Sequence, residues 1–371
     1  MILSLIVIVV LAFLILNFFL LYGLKTLFTK SPVLIESEVS ISIIIAVKNE
    51  SKNLPALLIS LGELDYPTKK FEVVFVDDSS DDGSYQIIQH SIQSYQNFRL
   101  IKAKNKIYPG KKGALEFGIA SAKFPYIIIT DGDCIVSKNW LKGFSNMFSL
   151  GFNFAFGICP INKGKNFVSL LSCFENLRTE ILTFGIANLG LPYSTAARSL
   201  GFQKESFIKL GGYKNTVETI SGDDDLLLRE AVKNKLKIGI LTEPGTFVFS
   251  NSESTLTEYF HQKKRHTSTS NHYLFRHQLI LGLWHFTNLL SLGSVFLSFI
   301  SIYFIIPFLI KLLMDIFIVK KYMKRFGVEF ELHEIIFLQS CYEIFLVIHY
   351  LRATFSRKIS WEKADDINAV N

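Results

Sequence analysis

The first segment of the chain is a long apolar run that needs a membrane or a protein interior around it. It extends from Ile2 to Leu24 and contains no charged residue. A helix rises about 1.5 Å per residue, so a run of this length crosses the roughly 30 Å of hydrocarbon in a bilayer. A cleaved signal peptide explains it less well, because the run lacks a basic leader and a small-x-small cleavage site. We predict a transmembrane helix, with Lys25 and Lys30 placing the following residues on the cytoplasmic side.

Two further apolar stretches lie in the last third of the chain. The stretch from Leu279 to Val319 is about twice the length of one crossing, and the basic segment Lys320–Arg325 follows it. This pattern predicts a transmembrane hairpin that returns to the cytoplasmic side. A third stretch, Glu334–Leu351, is interrupted by polar residues that include Gln339 and Glu343. It either crosses the membrane or lies at the interface, and the basic residues after it favour the interface.

The composition supports a membrane-attached protein and excludes several other classes. Apolar residues make up 49% of the 371 residues and 34 are Phe, which is too apolar for two water-soluble domains. The net charge of +7 lies largely near the apolar stretches, so it follows membrane topology and does not indicate nucleic-acid binding. The four cysteines have no Cys-x-x-Cys spacing, which argues against a disulfide scaffold or zinc ribbon and favours a reducing compartment.

The segment between these apolar ends has the pattern of an α/β domain with a mostly parallel sheet. Three short apolar runs, Ser40–Val47, Glu72–Val76 and Tyr126–Thr130, read as strands buried on both faces. Amphipathic stretches at Leu54–Leu64 and Tyr85–Tyr95 supply crossover helices. Each strand is followed by polar residues. In open α/β sheets ligands bind at the carboxyl ends of the strands, so these polar clusters are expected to line one crevice.

The third strand leads into a pair of aspartates suited to a metal ion. Asp131 and Asp133 flank a glycine, which lets the backbone turn so that both carboxylates reach one hard divalent cation. So few protein ligands leave coordination positions for water or for a substrate diphosphate. A solvated turn would explain the same three residues taken alone. Their position after a buried strand favours a Mg²⁺ or Mn²⁺ site and a phosphate-bearing substrate.

An ordered set of motifs resembles the family 2 glycosyltransferases, in the membrane-attached branch that makes polysaccharides and glycolipids. The resemblance covers about Ile41 to Tyr273. Its components are Val47-Lys48-Asn49-Glu50, VDDSSDDGS (Val76–Ser84), PGKKGAL (Pro109–Leu115), TDGD (Thr130–Asp133), ESFIKLGGY ending at Tyr213, SGDDDLLLR (Ser221–Arg229) and QKKRH (Gln262–His266).

The resemblance implies a GT-A fold and a set of donor-binding residues. The strand-end residues Val47, Asn49, Glu50, Asp77 and Asp78 would bind the nucleotide, since carboxylates can accept hydrogen bonds from a base or a ribose.

The basic motif PGKKGAL would run beside the donor, according to the same resemblance. Lys111 could meet the diphosphate there, and one member of the pair Lys111 and Lys112 is expected to be solvated. The resemblance also assigns the metal to Asp131 and Asp133, with Asp131 close to the donor. Cys134, which follows this pair, is expected to pack as a small residue and not to ligate.

Sugar transfer with inversion requires a base that accepts the proton of the acceptor hydroxyl. Aligning the family's T-E-D-x-D-L pattern with Ser221–Leu226 places Asp223 at the base, with Asp224 as the alternative because Gly222 replaces the glutamate. The same acidic triplet could instead cap the following helix.

The QKKRH motif resembles the family's Q-x-x-R-W box. This resemblance implies that Gln262 and Arg265 are catalytic residues, with the Arg265 guanidinium approaching the diphosphate. His266 replaces the tryptophan, which puts acceptor stacking and processive synthesis in doubt.

These inferences together predict a metal-dependent, inverting hexosyltransferase in the cell (inner) membrane, with a cytoplasmic catalytic domain. The expected units are an anchor (1–24), a GT-A domain (25–277), a hairpin (278–319) and a basic loop with a third apolar or interfacial helix (320–371). The donor would be a nucleotide-diphosphate sugar, with a UDP-sugar favoured, and the acceptor a lipid-linked saccharide or polysaccharide. An inactive nucleotide-binding scaffold is the alternative. A nucleotidyltransferase would need a glycine-rich phosphate loop after the first strand, which this sequence lacks.

Overall fold

The computed structural model describes residues 2–29 and 38–355 of the chain. The helices are α1 Ile2–Thr29, α2 Leu54–Gly62, α3 Ser84–Ser91, α4 Gly110–Ser121, α5 Trp140–Ser149, α6 Phe167–Asn188, α7 Lys204–Lys209, α8 Asp225–Lys233, α9 Leu256–Ser270, α10 Phe275–Leu297, α11 Ile305–Tyr322 and α12 Leu332–Phe355. The strands are β1 Ile41–Val47, β2 Phe71–Asp77, β3 Phe98–Lys102, β4 Tyr126–Asp131, β5 Cys134–Val136, β6 Phe154–Gly157, β7 Ile161–Asn162, β8 Leu200–Gln203, β9 Ile238–Leu241 and β10 Val248–Asn251.

The central sheet has seven strands in the order β3-β2-β1-β4-β8-β6-β9. Strands β3, β2, β1 and β4 are parallel to one another, whereas β8 runs antiparallel to both β4 and β6. A second, three-stranded sheet, β5-β10-β7, lies beyond the end of β4. The α/β prediction with a mostly parallel sheet is confirmed.

The three predicted strands lie next to one another, which positions the site. All residues of β1 and β2 are buried, as expected for strands covered by helices on both faces. Because β2, β1 and β4 are adjacent and parallel, their carboxyl ends meet at one edge of the sheet. The polar residues that follow them are therefore brought together.

Four helices are long and apolar enough to cross a membrane, judged by length and composition. They are Ile6–Thr29, Phe275–Leu297, Ile302–Phe326 and Leu332–His349. The first corresponds to the predicted anchor, and the next two form the predicted hairpin, since α10 packs against α11. Helices α1 and α11 continue past the expected limits at 24 and 319, because lysine is a good helix former and extends each helix beyond the apolar run. Helix α10 begins at Phe275, three residues before the expected start at 278. The division into four units otherwise stays a prediction.

Helix α12 turns its polar side chains inward. Gln339, Glu343 and His349 are each at most 3% exposed, and each has a polar partner inside the protein. The polar residues that interrupt this apolar stretch therefore face the interior of the protein and not its surface. This arrangement is compatible with a crossing, since intramembrane polar residues face a bundle interior.

Helix α6 joins the sheet domain to the apolar helices. It packs against α1, and a Cβ added at Gly185 would lie 3.3 Å from Cγ of Leu24. The missing side chain thus permits the close approach of the two helices. Residues of the apolar helices, such as Trp284 and Ile318, belong to the same hydrophobic cluster as Phe156 of the sheet. One continuous core therefore extends from the sheet into the helical bundle.

Candidate active site

The ends of β1, β2 and β4 form the floor of the candidate site. Val47 is the register partner of Asp77, and Ala46 is the partner of Asp131. The amide of Asp78 donates to the carbonyl of Val47 at 2.8 Å, which holds the chain close to β1 as it leaves β2. Residues separated by tens of positions in the sequence thus share one edge of the sheet, as predicted.

The loop after β1 is fixed by contacts to both neighbouring strand ends. Asn49 has a φ of 56°, a left-handed conformation that Asn tolerates better than most residues, and its Oδ1 accepts from the amide of Asp81 at 3.1 Å. Glu50 packs on the turn after β4, since a Cβ added at Gly132 would lie 2.9 Å from its Cγ. The resemblance-based assignment of Asn49 and Glu50 to the nucleotide site stays a prediction, although both lie at the correct edge.

Asp78 has a partner that the sequence did not indicate. The ammonium group of Lys106 forms an ion pair with its carboxylate, and the Asp78 side chain is only 5% exposed. Lys106 lies in the loop between β3 and α4 and belongs to no quoted motif, so no local signal identified it. A cation at this position could approach the donor together with Asp78.

Lys111 connects the end of β4 with the acidic triplet. It lies in the first turn of α4, and its Nζ is 2.7 Å from Oδ1 of Asp131 and 2.8 Å from Oδ2 of Asp223. One ammonium group therefore bridges two carboxylates that are far apart in sequence. Although burial opposes its charge, Asp131 and Asp223 raise the pKa of Lys111, so it stays protonated.

The expectation that one lysine of this pair is solvated is wrong. Lys112 is 3% exposed, and its Nζ donates to the carbonyls of Thr216 and Thr219. These two bonds anchor the loop that leads to the acidic triplet. Since α4 presents consecutive residues to different sides, one lysine points to the loop and the other to the carboxylates.

The three consecutive aspartates have three different environments. Asp224 is the N-cap of α8, with its oxygens accepting from the amides of Asp225 at 2.7 Å and Ala197 at 2.9 Å. Burial and the two neighbouring carboxylates raise its pKa to about 8. Asp223 is also buried, but the Lys111 ammonium outweighs burial and lowers its pKa. At neutral pH Asp223 is therefore the ionised member of this adjacent pair, whereas Asp224 caps the helix.

Asp225 organises the surrounding loops. Its Oδ1 accepts from the hydroxyl of Ser194 at 2.8 Å and from the amide of Thr195 at 2.9 Å, and its Oδ2 accepts from the hydroxyls of Tyr273 at 2.6 Å and Thr269 at 3.1 Å. These four bonds leave it little capacity for a substrate. It holds the end of α9 against the start of α8.

Helix α9 carries Gln262 and Arg265 and links the site to the apolar bundle. Near its start, the hydroxyl of Tyr259 lies 2.9 Å from Nε2 of His349 on α12. Near its end, Thr269 bonds to Asp225, and Arg265 precedes Thr269 by four residues and so lies on the same helix face.

The two predicted residues of α9 differ in their partners. Gln262 donates to Oε1 of Glu253 at 2.9 Å, whereas the guanidinium of Arg265 meets no hydrogen-bonding or ion-pairing partner within the described ranges. The side chain of His266 lies outside the described residues.

Known proteins resemble the sheet domain in sequence. The profile described as Glycosyl transferase family 2 matches residues 42–201. A beta-monoglucosyldiacylglycerol synthase from Synechocystis sp. is 27% identical over 238 residues, which is 61% of this chain and 46% of that protein. Glycosyltransferase AglE from Haloferax volcanii is 30% identical over 118 residues, 32% of this chain and 38% of that protein.

The matched segment belongs to glycosyl transferase family 2. The recognition made from the motifs is therefore confirmed. The chain spans less than half of the length of these two curated relatives. The family match also ends before the acidic triplet and α9, so the roles of those residues do not follow from it.

A solved structure confirms the GT-A fold. A mannosyltransferase from Pyrobaculum calidifontis, solved in complex with GDP-Man and Mn²⁺, superposes with a TM-score of 0.56. The superposition covers 95% of this chain and all of that chain, at 15% identity. At this level of identity the similarity concerns the fold.

The residues present fit the divalent cation that a family 2 site implies. Asp131 is accessible, with 28% of its side chain exposed, and Asp133 follows in the turn after β4. Carboxylate oxygens are hard donors, as Mg²⁺ and Mn²⁺ require. Within residues 2–29 and 38–355, no group of three or more His, Cys, Asp or Glu side chains is placed to hold a metal, so substrate oxygens would have to complete the coordination.

Cys134, next to the proposed metal pair, is fully buried. Burial, together with Asp133 and Asp131, raises the pKa of its thiol well above the usual value. The side chain packs as a small apolar residue, as expected.

Proposed function

We propose that this protein is an inverting glycosyltransferase that moves a sugar from a nucleotide-diphosphate sugar to a lipid-linked or saccharide acceptor at a membrane. The observation that carries the proposal is the double ion pair of Lys111 with Asp131 and Asp223. In this pair Asp131, the proposed metal ligand, and Asp223, the proposed base, contact the same ammonium group. Donor activation and acceptor deprotonation can therefore take place within one pocket.

The donor would lie across the ends of β2, β1 and β4. Asp77 and Asp78 would contact the nucleoside, and Lys106 beside Asp78 would add a positive charge. Lys111, at the start of α4, would contact the diphosphate, where the helix N-terminus also favours an anion. A divalent cation held by Asp131 and Asp133 would supply further neutralisation of charge on the departing diphosphate.

The acceptor would be deprotonated by Asp223. Its carboxylate is ionised at neutral pH and, in contrast to Asp224, is not committed to capping a helix. When Lys111 contacts the donor diphosphate, its ion pair with Asp223 weakens. The pKa of the Asp223 carboxylate then rises, which makes it a stronger base. Attack from the face opposite the leaving group would invert the anomeric centre.

Attachment to a membrane supports an acceptor of the glycolipid or polysaccharide type. Four helices are suited to crossing, and α9 runs from α12 to Asp225, so the site lies beside the bundle. The relatives named above include a glucosyldiacylglycerol synthase, and the mannosyltransferase with the similar fold was solved with GDP-Man. We place the catalytic domain on the cytoplasmic side of the cell membrane because of Lys25, Lys320 and Lys321.

The test is release of a nucleoside diphosphate by the detergent-solubilised protein. UDP-sugars and GDP-sugars are incubated separately with the protein and Mn²⁺ or Mg²⁺, and the released nucleotide is quantified. We expect one donor class to be hydrolysed and the anomeric configuration of a transferred sugar to be inverted. Nucleotide binding without release for every donor would instead support the inactive scaffold.

A further inference from the structure

Arg198 is a partly buried cation that no motif of the sequence identified. It lies in a short helical turn, Ala197–Ser199, immediately before β8. Its Nη1 donates to Oγ of Ser250 at 2.5 Å and its Nη2 donates to Oδ1 of Asn176 at 2.9 Å. Both partners are neutral, so these bonds orient the guanidinium and leave its charge in place.

The guanidinium also lacks a close counter-ion. No carboxylate of residues 2–29 and 38–355 lies within ion-pair distance of it, whereas Lys111 contacts two carboxylates and Lys112 is held by two backbone carbonyls. Two carboxylates act on its charge from beyond that distance: Glu180, whose pKa burial raises to about 7, and Asp133 of the proposed metal pair. Charges taken out of water are normally paired, and an oriented guanidinium that forms no ion pair therefore suits an anionic ligand.

The position of Arg198 separates it from the nucleotide. Its partner Ser250 stands opposite Cys134 in the β5–β10 pair, and Cys134 directly follows Asp133. Arg198 is thus beside the proposed metal pair. Strand β8 flanks β4 on the side opposite β1 and β2, which carry the predicted nucleotide residues. An anion at Arg198 would accordingly lie beyond the departing diphosphate, on the acceptor side.

Arg198 is bonded to a helix that contacts the apolar bundle. Asn176, which orients Arg198, belongs to α6, and α6 packs against α1 and α12. Arg198 is therefore oriented by the helix that joins the sheet domain to the apolar helices.

We infer that Arg198 forms a phosphate subsite for the acceptor, which would be a lipid that carries a phosphate group near the attacking hydroxyl. The inference rests on the proposed function and specifies its acceptor class. A guanidinium offers five donors, of which two are used by Ser250 and Asn176. The remaining donors suit the oxygens of a phosphate, to which Arg binds in a planar, bidentate manner.

The test measures binding in the absence of any donor. The probes are farnesyl phosphate, farnesol and inorganic phosphate, titrated into the full-length protein in detergent by calorimetry. We expect farnesyl phosphate to bind more tightly than either other probe. In Arg198→Met its affinity should fall about 10- to 100-fold, since hydrogen bonds to a charged group are lost, while farnesol binding is unchanged.

Two further variants keep the result interpretable. Arg198→Lys retains the charge without the planar fork and should give an intermediate affinity, with an unfolding temperature equal to that of the natural protein. Lys204→Met is the matched control, because Lys204 follows the opposite end of β8 and donates to the carbonyls of Ala120 and Ala122. It should bind farnesyl phosphate normally.

Three results would overturn the inference. The first is that farnesol binds as tightly as farnesyl phosphate. The second is that inorganic phosphate binds as tightly as farnesyl phosphate. The third is that Arg198→Met loses UDP or GDP binding but retains farnesyl phosphate binding. Measuring donor cleavage separates failure of the proposed function from failure of this inference. A protein that cleaves no nucleotide sugar but binds farnesyl phosphate through Arg198 refutes the transferase and supports the phosphate subsite.

Discussion

A buried ionic cluster between α6, α11 and α12 allows a quantitative test of how the bundle is attached. Arg178 lies 2.8 Å from Asp315, and Lys311 lies 2.5 Å from Asp315 and 2.8 Å from Glu343. All four side chains are at most 4% exposed. Two cations face two anions, so the cluster is neutral. Lys311 is about 13 Å along the axis of α11 from Lys320, well inside the apolar stretch.

Removing one charge from this cluster leaves another uncompensated. In Arg178→Met, two carboxylates share one ammonium group, and the free energy of unfolding should fall by about 3–5 kcal/mol. Asp315→Asn leaves two cations on Glu343 and should cost a similar amount. The double variant restores neutrality through Lys311 and Glu343, so it should be more stable than either single variant.

The assay is thermal unfolding in detergent, followed by tryptophan fluorescence, to which the buried Trp140 and Trp284 contribute. Each single variant should lower the unfolding temperature by several degrees, and the double variant should recover part of this loss. Lys209→Met is the control, because it breaks the Glu205–Lys209 pair, which is exposed to solvent and should therefore contribute little to stability. A double variant whose loss equals the sum of the two single losses would refute the coupling of these charges.

Three further predictions concern the site and its surroundings. Asp223→Asn should retain donor binding but lower transfer about 10²- to 10⁴-fold, measured as glycosylated product; Asp224→Asn losing transfer in its place would shift the base by one residue. Asp133→Ala should abolish the dependence of nucleotide release on Mn²⁺, and unchanged metal-dependent turnover would exclude Asp133 as a ligand. Because the pKa of Glu180 is raised from 4.5 to about 7, stability should fall as pH rises through this interval, and Glu180→Gln should remove the fall, as judged by unfolding temperatures at both ends of the interval. A pH profile that is the same in both proteins would contradict this assignment.

The sequence predicted best the strands that are formed by unbroken apolar runs. Strands β1, β2 and β4 are such runs, and short runs of this kind are typical of strands buried on both faces. Strands β6 and β8 are short, and β8 inserts antiparallel between β4 and β6, which depends on long-range pairing that no local pattern encodes.

The sequence predicted those site residues that lie in motifs at strand ends. It did not predict the partners that other parts of the chain supply to them. Asp131 and Asp223 were both identified, but their common partner Lys111 became evident only from the fold. The burial of Lys112 was missed because two adjacent lysines in a loop resemble a solvated pair. Arg198 gave no signal, since its environment is built by α6 and β10.

The contact between α1 and α6 has a practical consequence for recombinant production. Leu20 and Leu24 of α1 are at most 2% exposed and share a cluster with Leu177 and Phe184 of α6. A shortened chain that begins at residue 38 would leave this face of α6 open to water, and large uncovered apolar patches promote aggregation. Expression of the sheet domain without α1 should therefore yield insoluble material unless the apolar face of α6 is also redesigned.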